Sequence, residues 1–439
     1  METAKELLWL GLDAGLQLLI QPFYYISIVF IALLYRRQVM MERKLFHVRV
    51  NGWGIQTWRT FLGGLVAGTA VSIVMAFLGT TLTLAGVICI WVTALVLMLF
   101  RIRFLCFAYS IAVLGIVQFV LSWFPHWQPE GVLGSAQAAI NSLDIPSLLA
   151  LAAVLHFAEA ALLVLQGTKF SSPLFLEGKR GKLVGGYNMR SFWPLPLFLL
   201  IPASGGSITL PWTPFFGAEG VWSGGFSIMV LPVLIGFGEM THSMLPKQKA
   251  AITSKRLVIY SSVLLILSLL AEWWFPLMIV AALAAWILHE GLTWYSQYEE
   301  SQRSPVFVHP PKGLRVLTVL PGSPAEEMGI LAGETILKAN GTMVHTKDQL
   351  HVALRQNPAF CKLEVLNHQG ESKFMQRAIY AGDHHQLGAI VAPDPDDHLA
   401  AKRKPLTVFA LLGMKLNIIN KMKDEPAGTA PSNSETLEI

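Results

Sequence analysis

The chain has 439 residues, of which 53% belong to the AVILMFWYC set and only 14% are Asp, Glu, Lys or Arg, with a mean hydropathy of +0.51. Soluble chains average about 25% charged residues, so this one cannot clothe a water-facing surface of ordinary polarity. Disordered chains, poor in apolar residues, are excluded as well. The net charge of +5 sits in short basic runs beside hydrophobic stretches, which is a topology signal rather than a phosphate-binding stripe, and no nucleic acid is expected as a partner.

A hydrocarbon core of about 30 Å takes about 20 apolar residues in a helix. Stretches of that kind run over 16–34, 60–79, 82–100, 104–124, 146–166, 192–208, 226–241, 257–273 and 275–292. They predict a polytopic α-helical membrane domain of eight or nine spans over residues 1–303. Residues 3–15 read either as an interfacial helix or as part of the first span, and Glu2, Glu6 and Asp13 beside a single Lys5 argue against a cleavable signal peptide. Pro194, Pro196 and Pro202 interrupt the sixth stretch and Pro232 the seventh. Those two are read as broken or re-entrant helices, because carbonyls freed by proline must be satisfied by protein or water.

Basic residues fill every second loop. Arg36, Arg37, Arg43, Lys44, Arg49 and Arg59 follow the first span, Arg101 and Arg103 the third, Lys169, Lys179, Arg180, Lys182 and Arg190 the fifth, and Lys247, Lys249, Lys255 and Arg256 the seventh. The positive-inside rule makes these loops cytoplasmic and, with nine spans, the C-terminal third too. Trp123, Trp127, Trp212, Trp222, Trp273 and Trp274 then gather at the outer ends as an aromatic belt.

Within the fifth span His156 and Glu159 share a helical face. Ionisable groups in a span are costly and mark function by default; the alternatives are proton or metal chemistry, or a polar pair that satisfies itself or a basic loop. In the loop that follows, Glu177, Gly178, Lys179, Arg180, Gly181 and Lys182 form a glycine-broken basic turn, suited to anionic lipid headgroups or simply a positive-inside loop. Cys89, Cys106 and Cys361 make no disulfide framework, and no C-x-x-C or Cys/His cluster at zinc spacing occurs, so neither metal nor cofactor is expected.

Catalytic signatures are lacking. A site-2 metalloprotease needs H-E-x-x-H, whereas His289-Glu290 is followed by Gly291, Leu292 and Thr293. The serine motif G-x-S-G is only shadowed at 203–206 and 222–225. No catalytic residue is assigned, and the chain is not expected to be an enzyme.

Residues 304–392 change character to a small α+β domain. A strand is predicted at 313–320, turned by Pro321-Gly322; Ser323-Pro324-Ala325-Glu326 opens a short helix as a capping box with proline at its first position. A strand at 335–339 ends in the hairpin turn Asn340-Gly341, Thr346 caps a helix to Gln356, and strands follow at 361–366 and 372–379. The run S-P-A-E-x-x-G-I-L-A-G-E-x-I-L-K-x-N-G resembles the PDZ domain of bacterial proteases and scaffolds. PDZ domains bind an extended peptide C-terminus by strand addition between a sheet edge and a helix. The carboxylate-binding loop should read x-apolar-Gly-apolar; Pro310 and Pro311 make a poor anion nest upstream, whereas Gln386-Leu387-Gly388-Ala389-Ile390 fits. The preferred reading is a circularly permuted domain whose groove is formed by Leu387, Gly388, Ala389 and Ile390 beside Leu350 and Leu354 of the 347–356 helix. The alternative is an ordinary last strand that closes the sheet.

Residues 393–439 read as an acidic linker at Asp394, Asp396 and Asp397, a short amphipathic segment at 406–422 for the inner leaflet or a partner, and a disordered tail. The tail ends in Leu437-Glu438-Ile439, an apolar C-terminus of the kind a PDZ groove accepts.

His156-x-x-Glu159-Ala160, the run from Leu174 through Glu177-Gly178-Lys179-Arg180-Gly181-Lys182 to Gly185-Gly186-Tyr187, and Ser191-Phe192-Trp193-Pro194-Leu195-Pro196 together resemble the MinJ family of polytopic division-topology proteins in Gram-positive rods. The resemblance implies a non-enzymatic bridge at septum and poles. It would link the curvature-binding coiled-coil protein DivIVA to the MinD ATPase and its division inhibitor MinC, restraining FtsZ-driven division. On composition alone, a transporter or permease with a regulatory PDZ domain, or a PDZ-containing intramembrane protease, remain the alternatives. The basic loops predict that alkaline phosphatase fused to the C-terminus is inactive; a highly active fusion contradicts a cytoplasmic 304–439.

Overall fold

The computed structural model describes residues 2–127, 129–178, 181–203, 210–217, 220–380, 387–397, 401–402 and 437–438. The N-terminal region begins with α1 (Glu2–Ile20) and α2 (Pro22–Phe46). Pro22 sits at the first position of α2, where its missing N–H costs nothing, so the span expected at 16–34 is divided at Gln21. Then come α3 (Trp53–Leu78), α4 (Leu84–Phe100), α5 (Phe107–Leu121), α6 (Gly131–Asn141) and α7 (Ile145–Leu165). Asp144 caps α7 by accepting the Ser147 N–H at 3.3 Å. After the sheet described below come α8 (Pro246–Trp273) and α9 (Leu277–Gln302). Among the described residues five helices, α2, α3, α7, α8 and α9, are long and apolar enough to cross a membrane, and α4 and α5 are shorter apolar helices.

The stretches 192–208 and 226–241 are not helical spans. They lie in an antiparallel hairpin, β2 (Leu183–Pro202) and β3 (Phe226–Thr241), preceded by β1 (Ser171–Glu177). β2 pairs with β3 without interruption from Tyr187↔Thr241 to Pro202↔Phe226, with Pro196 opposite Pro232. Sixteen paired residues make a ribbon about 50 Å long. An apolar run of this length reads equally as a buried helix or a fully buried strand when its periodicity is flat. The prolines decide it, since a helix interior loses a hydrogen bond and clashes at each one, whereas a strand edge tolerates them.

That edge is covered by α3. The backbone of Pro194, Pro196 and Phe198 faces the helix: Phe198 donates its N–H to Ser72 Oγ at 2.8 Å, and the two prolines have no N–H to place. Gly64 and Gly68, two turns and one turn before Ser72, allow the approach. A Cβ on Gly68 would stand 2.5 Å from the Pro196 carbonyl oxygen, and one on Gly64 would overlap that of Pro194. The last carbonyls of α3 are satisfied in turn: Ala76 accepts from Trp212 Nε1 at 3.0 Å, and Phe77 and Leu78 from the Phe215 and Phe216 N–H groups at 3.1 and 2.7 Å. At the centre stands α7, whose Leu149, Leu151, Ala152 and Ala153 are fully buried.

The C-terminal region is a second sheet of β4 (Leu314–Val319), β5 (Thr335–Ala339), β6 (Thr342–Met343), β7 (Phe360–Leu366), β8 (Ser372–Ala378) and β9 (Ala389–Val391), with α10 (Pro324–Glu327) and α11 (Lys347–Gln356). Its order is β8-β7-β5-β4-β9, with β6 on β5, around a core of Leu314, Val316, Ile336, Val344, Leu363 and Val365. The expected turn chemistry is present. Asn340 (φ 49°) and Gly341 (φ 84°) close the β5–β6 hairpin, and Ser323 and Thr346 accept the Glu326 and Gln349 N–H groups at 3.4 and 3.2 Å. The tail strands β10 (Ala401–Lys402) and β11 (Leu437–Glu438) extend the first sheet from β1, so Leu437 and Glu438 pair with β10 and not with β9. The segment 406–422 lies outside the described residues.

Close packing at Gly68 generates a stability test. Gly68→Leu is expected to lower stability by about 1–3 kcal/mol or more through overpacking, read as a fall in the thermal midpoint in detergent. Gly11→Ala, where a Cβ meets open space, should leave it unchanged; equal effects at both positions would contradict the α3–β2 contact.

Candidate peptide-binding site

The helix expected to flank a groove is fixed from several sides. Asn340 Nδ2 donates to the Ala353 carbonyl at 2.9 Å, while its Oδ1 accepts the Lys362 N–H at 2.9 Å, so one turn residue ties β5, β7 and α11 together. Leu350 and Ala353 are buried, and Leu354 packs on the same cluster as Leu387, Ala389 and Val391. The structure therefore brings α11 and the 387–391 segment to one core. β9 pairs antiparallel with β4 through Val316↔Val391, Thr318↔Ile390 and Val319↔Ala389. It ends the sheet order, and its outer edge carries no strand among the described residues.

Each predicted groove residue has a definite place. The Leu387 carbonyl accepts from Ala325 N–H at 3.0 Å and the Gly388 carbonyl from Leu320 N–H at 2.8 Å. Gly388 has φ 80°, and a Cβ there would overlap Ser323 Cβ. Glycine is thus required by left-handed backbone and by close approach to the cap of α10. Ile390 faces the other way from Ala389 and Val391, into a cluster with Leu317, Leu320, Ala392, Phe307 and residues of the first sheet. Gln386 lies outside the described residues.

That second cluster docks the C-terminal domain on the β1–β2 hairpin. The Tyr187 hydroxyl donates to the Leu317 carbonyl. Gly185 N–H donates to the Phe307 carbonyl at 2.7 Å, and Val306 N–H to that of His242 at 2.9 Å. A Cβ on Gly185 would meet Phe307 Cβ at 2.9 Å and Leu317 Cδ1 at 3.1 Å. At the start of α11, the Lys347 N–H donates to Asp394 Oδ2 at 3.0 Å, and Lys347 Nζ pairs with Asp397 and lies 5.0 Å above the Phe175 ring. The 171–190 segment, expected to be a glycine-broken loop, is therefore strand on both sides of a tight turn, in which Gly178 N–H donates to the Lys182 carbonyl at 2.8 Å and Gly181 N–H to that of Gly178 at 3.1 Å. Glu177 pairs with Leu183 at its base; Gly181 and Lys182 lie on it, and Lys179 and Arg180 fall outside the described residues. Sequence reasoning assigned no docking role to Gly185, Tyr187, Phe307 or Lys347. The glycine pair at 185–186 inside an apolar run was the available signal of close backbone approach.

His156 and Glu159 are both buried on α7, but no hydrogen bond joins them. His156 Nδ1 lies 2.6 Å from the Ala152 carbonyl oxygen and Nε2 lies 3.4 Å from Cys106 Sγ, while the ring packs on Tyr260 and His289. The expectation that no Cys/His cluster exists was an argument from spacing, and it fails in space: Cys106, His156 and His289 place one ligand atom each within 4.8 Å of one another.

Long apolar helices joined to a sheet-and-helix module whose end strand is open among the described residues define a multi-span membrane protein with a peptide-binding-type C-terminal domain. A PDZ family model matches residues 315–366. The chain is 30% identical over 391 residues to the cell division topological determinant MinJ of Bacillus subtilis, covering 89% of this chain and 96% of that protein. It is 26% identical over 368 residues to a probable cell division topological determinant MinJ of Lacticaseibacillus paracasei, covering 80% and 90%. The chain belongs to the MinJ family.

The docking contacts predict that Tyr187→Phe, which removes a buried hydrogen bond worth about 1 kcal/mol, raises hydrogen exchange in 304–320, and that Gly185→Leu raises it further. Unchanged exchange in both variants would contradict a docked PDZ domain.

Proposed function

We propose that this chain is a non-enzymatic membrane adaptor in division-site selection, bridging DivIVA to MinD and MinC, with its PDZ domain cytoplasmic and the protein enriched at septum and poles. The observation that carries the reading is a PDZ domain whose β9 edge carries no further strand among the described residues, held against the membrane domain of a chain that belongs to a family of division topological determinants. A PDZ domain binds rather than converts its ligand, which supports an adaptor over an enzyme.

In this reading the domain is circularly permuted and β9 serves as the groove strand. A partner's C-terminal segment adds to the outer edge of β9 and places an apolar side chain against Leu350 and Leu354. The pairing of β9 with β4 and the shared cluster of Leu387, Ala389, Leu350 and Leu354 support this arrangement. The hairpin turn at 178–182, with its basic residues, meets anionic headgroups.

The test images a fluorescent fusion in dividing cells. Septal enrichment that disappears when DivIVA is deleted supports the bridge; uniform membrane fluorescence in both strains contradicts it. A groove variant complements this. Leu354→Asp removes apolar contact worth about 1.5–3 kcal/mol, roughly a ten- to hundredfold loss of affinity. It should reduce partner co-purification while membrane insertion persists. Gly388→Val is unsuitable, because its overlap with Ser323 disturbs the domain itself.

A further inference from the structure

Three helices of the membrane domain converge on a group of side chains that the PDZ groove does not employ. Cys106 precedes α5, His156 lies on α7 and His289 on α9. They come together at the end of the bundle that carries Arg103, which pairs with Glu290 at 2.5 Å. The partners of the ring nitrogens assign both tautomers. A carbonyl can only accept, so His156 carries its proton on Nδ1, donated to Ala152, and its Nε2 lone pair faces Cys106 Sγ at 3.4 Å. The Tyr109 hydroxyl donates to Glu290 Oε1 at 2.8 Å. Having spent its proton there, it accepts from His289 Nδ1 at 2.7 Å, which leaves His289 Nε2 with a lone pair as well.

Two imidazole lone pairs and one thiol thus lie together between the helices, beside the Tyr260 ring. A single S–H can serve only one of the two imidazoles; His156 Nε2 has it at 3.4 Å, and the His289 Nε2 lone pair stays available to an ion. Metal-bound histidines show this same outer arrangement, with the second ring nitrogen donating to a carbonyl or to a hydrogen-bonded chain that ends in a carboxylate.

We propose that Cys106, His156 and His289 form a transition-metal site, with Zn²⁺ as its ion. One thiolate and two imidazoles suit zinc and other thiophilic ions and do not suit magnesium or calcium. With Zn–S of about 2.3 Å and Zn–N of about 2.0–2.1 Å in a tetrahedron, ligand atoms stand about 3.3–3.6 Å apart. The Cys106–His156 pair already has that separation, and the ligand atoms of the three residues, all within 4.8 Å of one another, need to close by no more than about 1.5 Å to reach it. Binding exchanges the thiol proton for the ion, Cys106–SH + Zn²⁺ giving Cys106–S–Zn⁺ + H⁺. The proton leaves to solvent past Cys106, which is only partly buried. Three protein ligands leave a fourth position for water. The ion cross-links α5, α7 and α9, and α9 runs directly into the linker that carries the PDZ domain.

The test uses the full chain, purified in detergent with a histidine-free tag and without chelator. It is loaded with Zn²⁺, desalted, and its metal content measured by mass spectrometry. One ion per chain is expected in the wild type and in Cys89→Ser and Cys361→Ser. Cys361 is an apt control, because burial in the PDZ core pushes its thiol up to about 11. Loss of the ion is expected in Cys106→Ser and His289→Gln. Cobalt(II) loading should give a thiolate-to-cobalt charge-transfer band in the wild type and none in Cys106→Ser. Should a variant misfold by circular dichroism, the wild type alone still decides: bound Zn²⁺ must protect Cys106 from alkylation while leaving Cys89 reactive. Copper(I) measured anaerobically against a competing chelator tells which thiophilic ion is held more tightly. Wild type that retains no more metal than Cys106→Ser, or unprotected Cys106 in zinc-loaded protein, overturns the site.

Discussion

A β-ribbon inside an apolar domain has to find a partner for every backbone N–H and C=O, because lipid supplies none and an open sheet edge exposed to hydrocarbon is not tolerated. The β2–β3 hairpin meets this requirement on one side by pairing along its whole length. On the other side it places Pro194 and Pro196 where an N–H would have lacked a partner, and gives the next outward N–H, that of Phe198, to Ser72. The cover works only because α3 presents Gly64, Gly68 and Ser72 on one face at intervals of four, so that helix and strand backbones come into contact. Thr80 Oγ1, donating to the Leu200 carbonyl at 3.4 Å, continues the line past the end of α3.

The same strand carries the consequence to the other end of the molecule. β2 runs about 65 Å if fully extended, from Pro202 in the apolar region to Leu183 at the hairpin turn. Its first residues are the docking platform: Gly185 and Tyr187 hold the linker and β4, while Trp193, fully buried farther along, bonds Gln166 at 2.9 Å. A strand rigidly packed against α3 and joined to β3 gives the PDZ domain a fixed seat. A flexible loop at 171–190 would have left that domain tethered only by residues 303–312.

Legibility followed the range of the interactions. The C-terminal domain was readable because its signals are local: Ser323 and Thr346 cap helices within three residues, and Asn340-Gly341 fixes a hairpin with two left-handed residues. Long apolar helices were readable from composition. The hairpin was not, because leucine, isoleucine, valine and phenylalanine without polar interruption lose the period that separates helix from strand. Pro194, Pro196 and Pro232 were seen as damage to a helix when they were the evidence for a strand edge. The Cys106–His156–His289 group was invisible for a further reason. Ligand spacing is informative only when ligands share an element, and these come from separate helices whose contact is a property of the bundle.

Alternation along β9 gives the adaptor reading its internal logic. Side chains of a strand point to opposite faces while its N–H and C=O groups lie in the sheet plane. Ala389 and Val391 serve the PDZ core and Ile390 serves the contact with the membrane domain. Strand addition at the outer edge takes main-chain groups that these packing contacts leave alone, and in the proposed reading its side-chain pocket lies on the face of Leu350 and Leu354, away from Ile390. A partner peptide and the docked state therefore do not compete for the same atoms, and ordering β9 on one face favours the geometry required on the other. For the proposed adaptor this arrangement means that peptide binding need not release the domain from its seat.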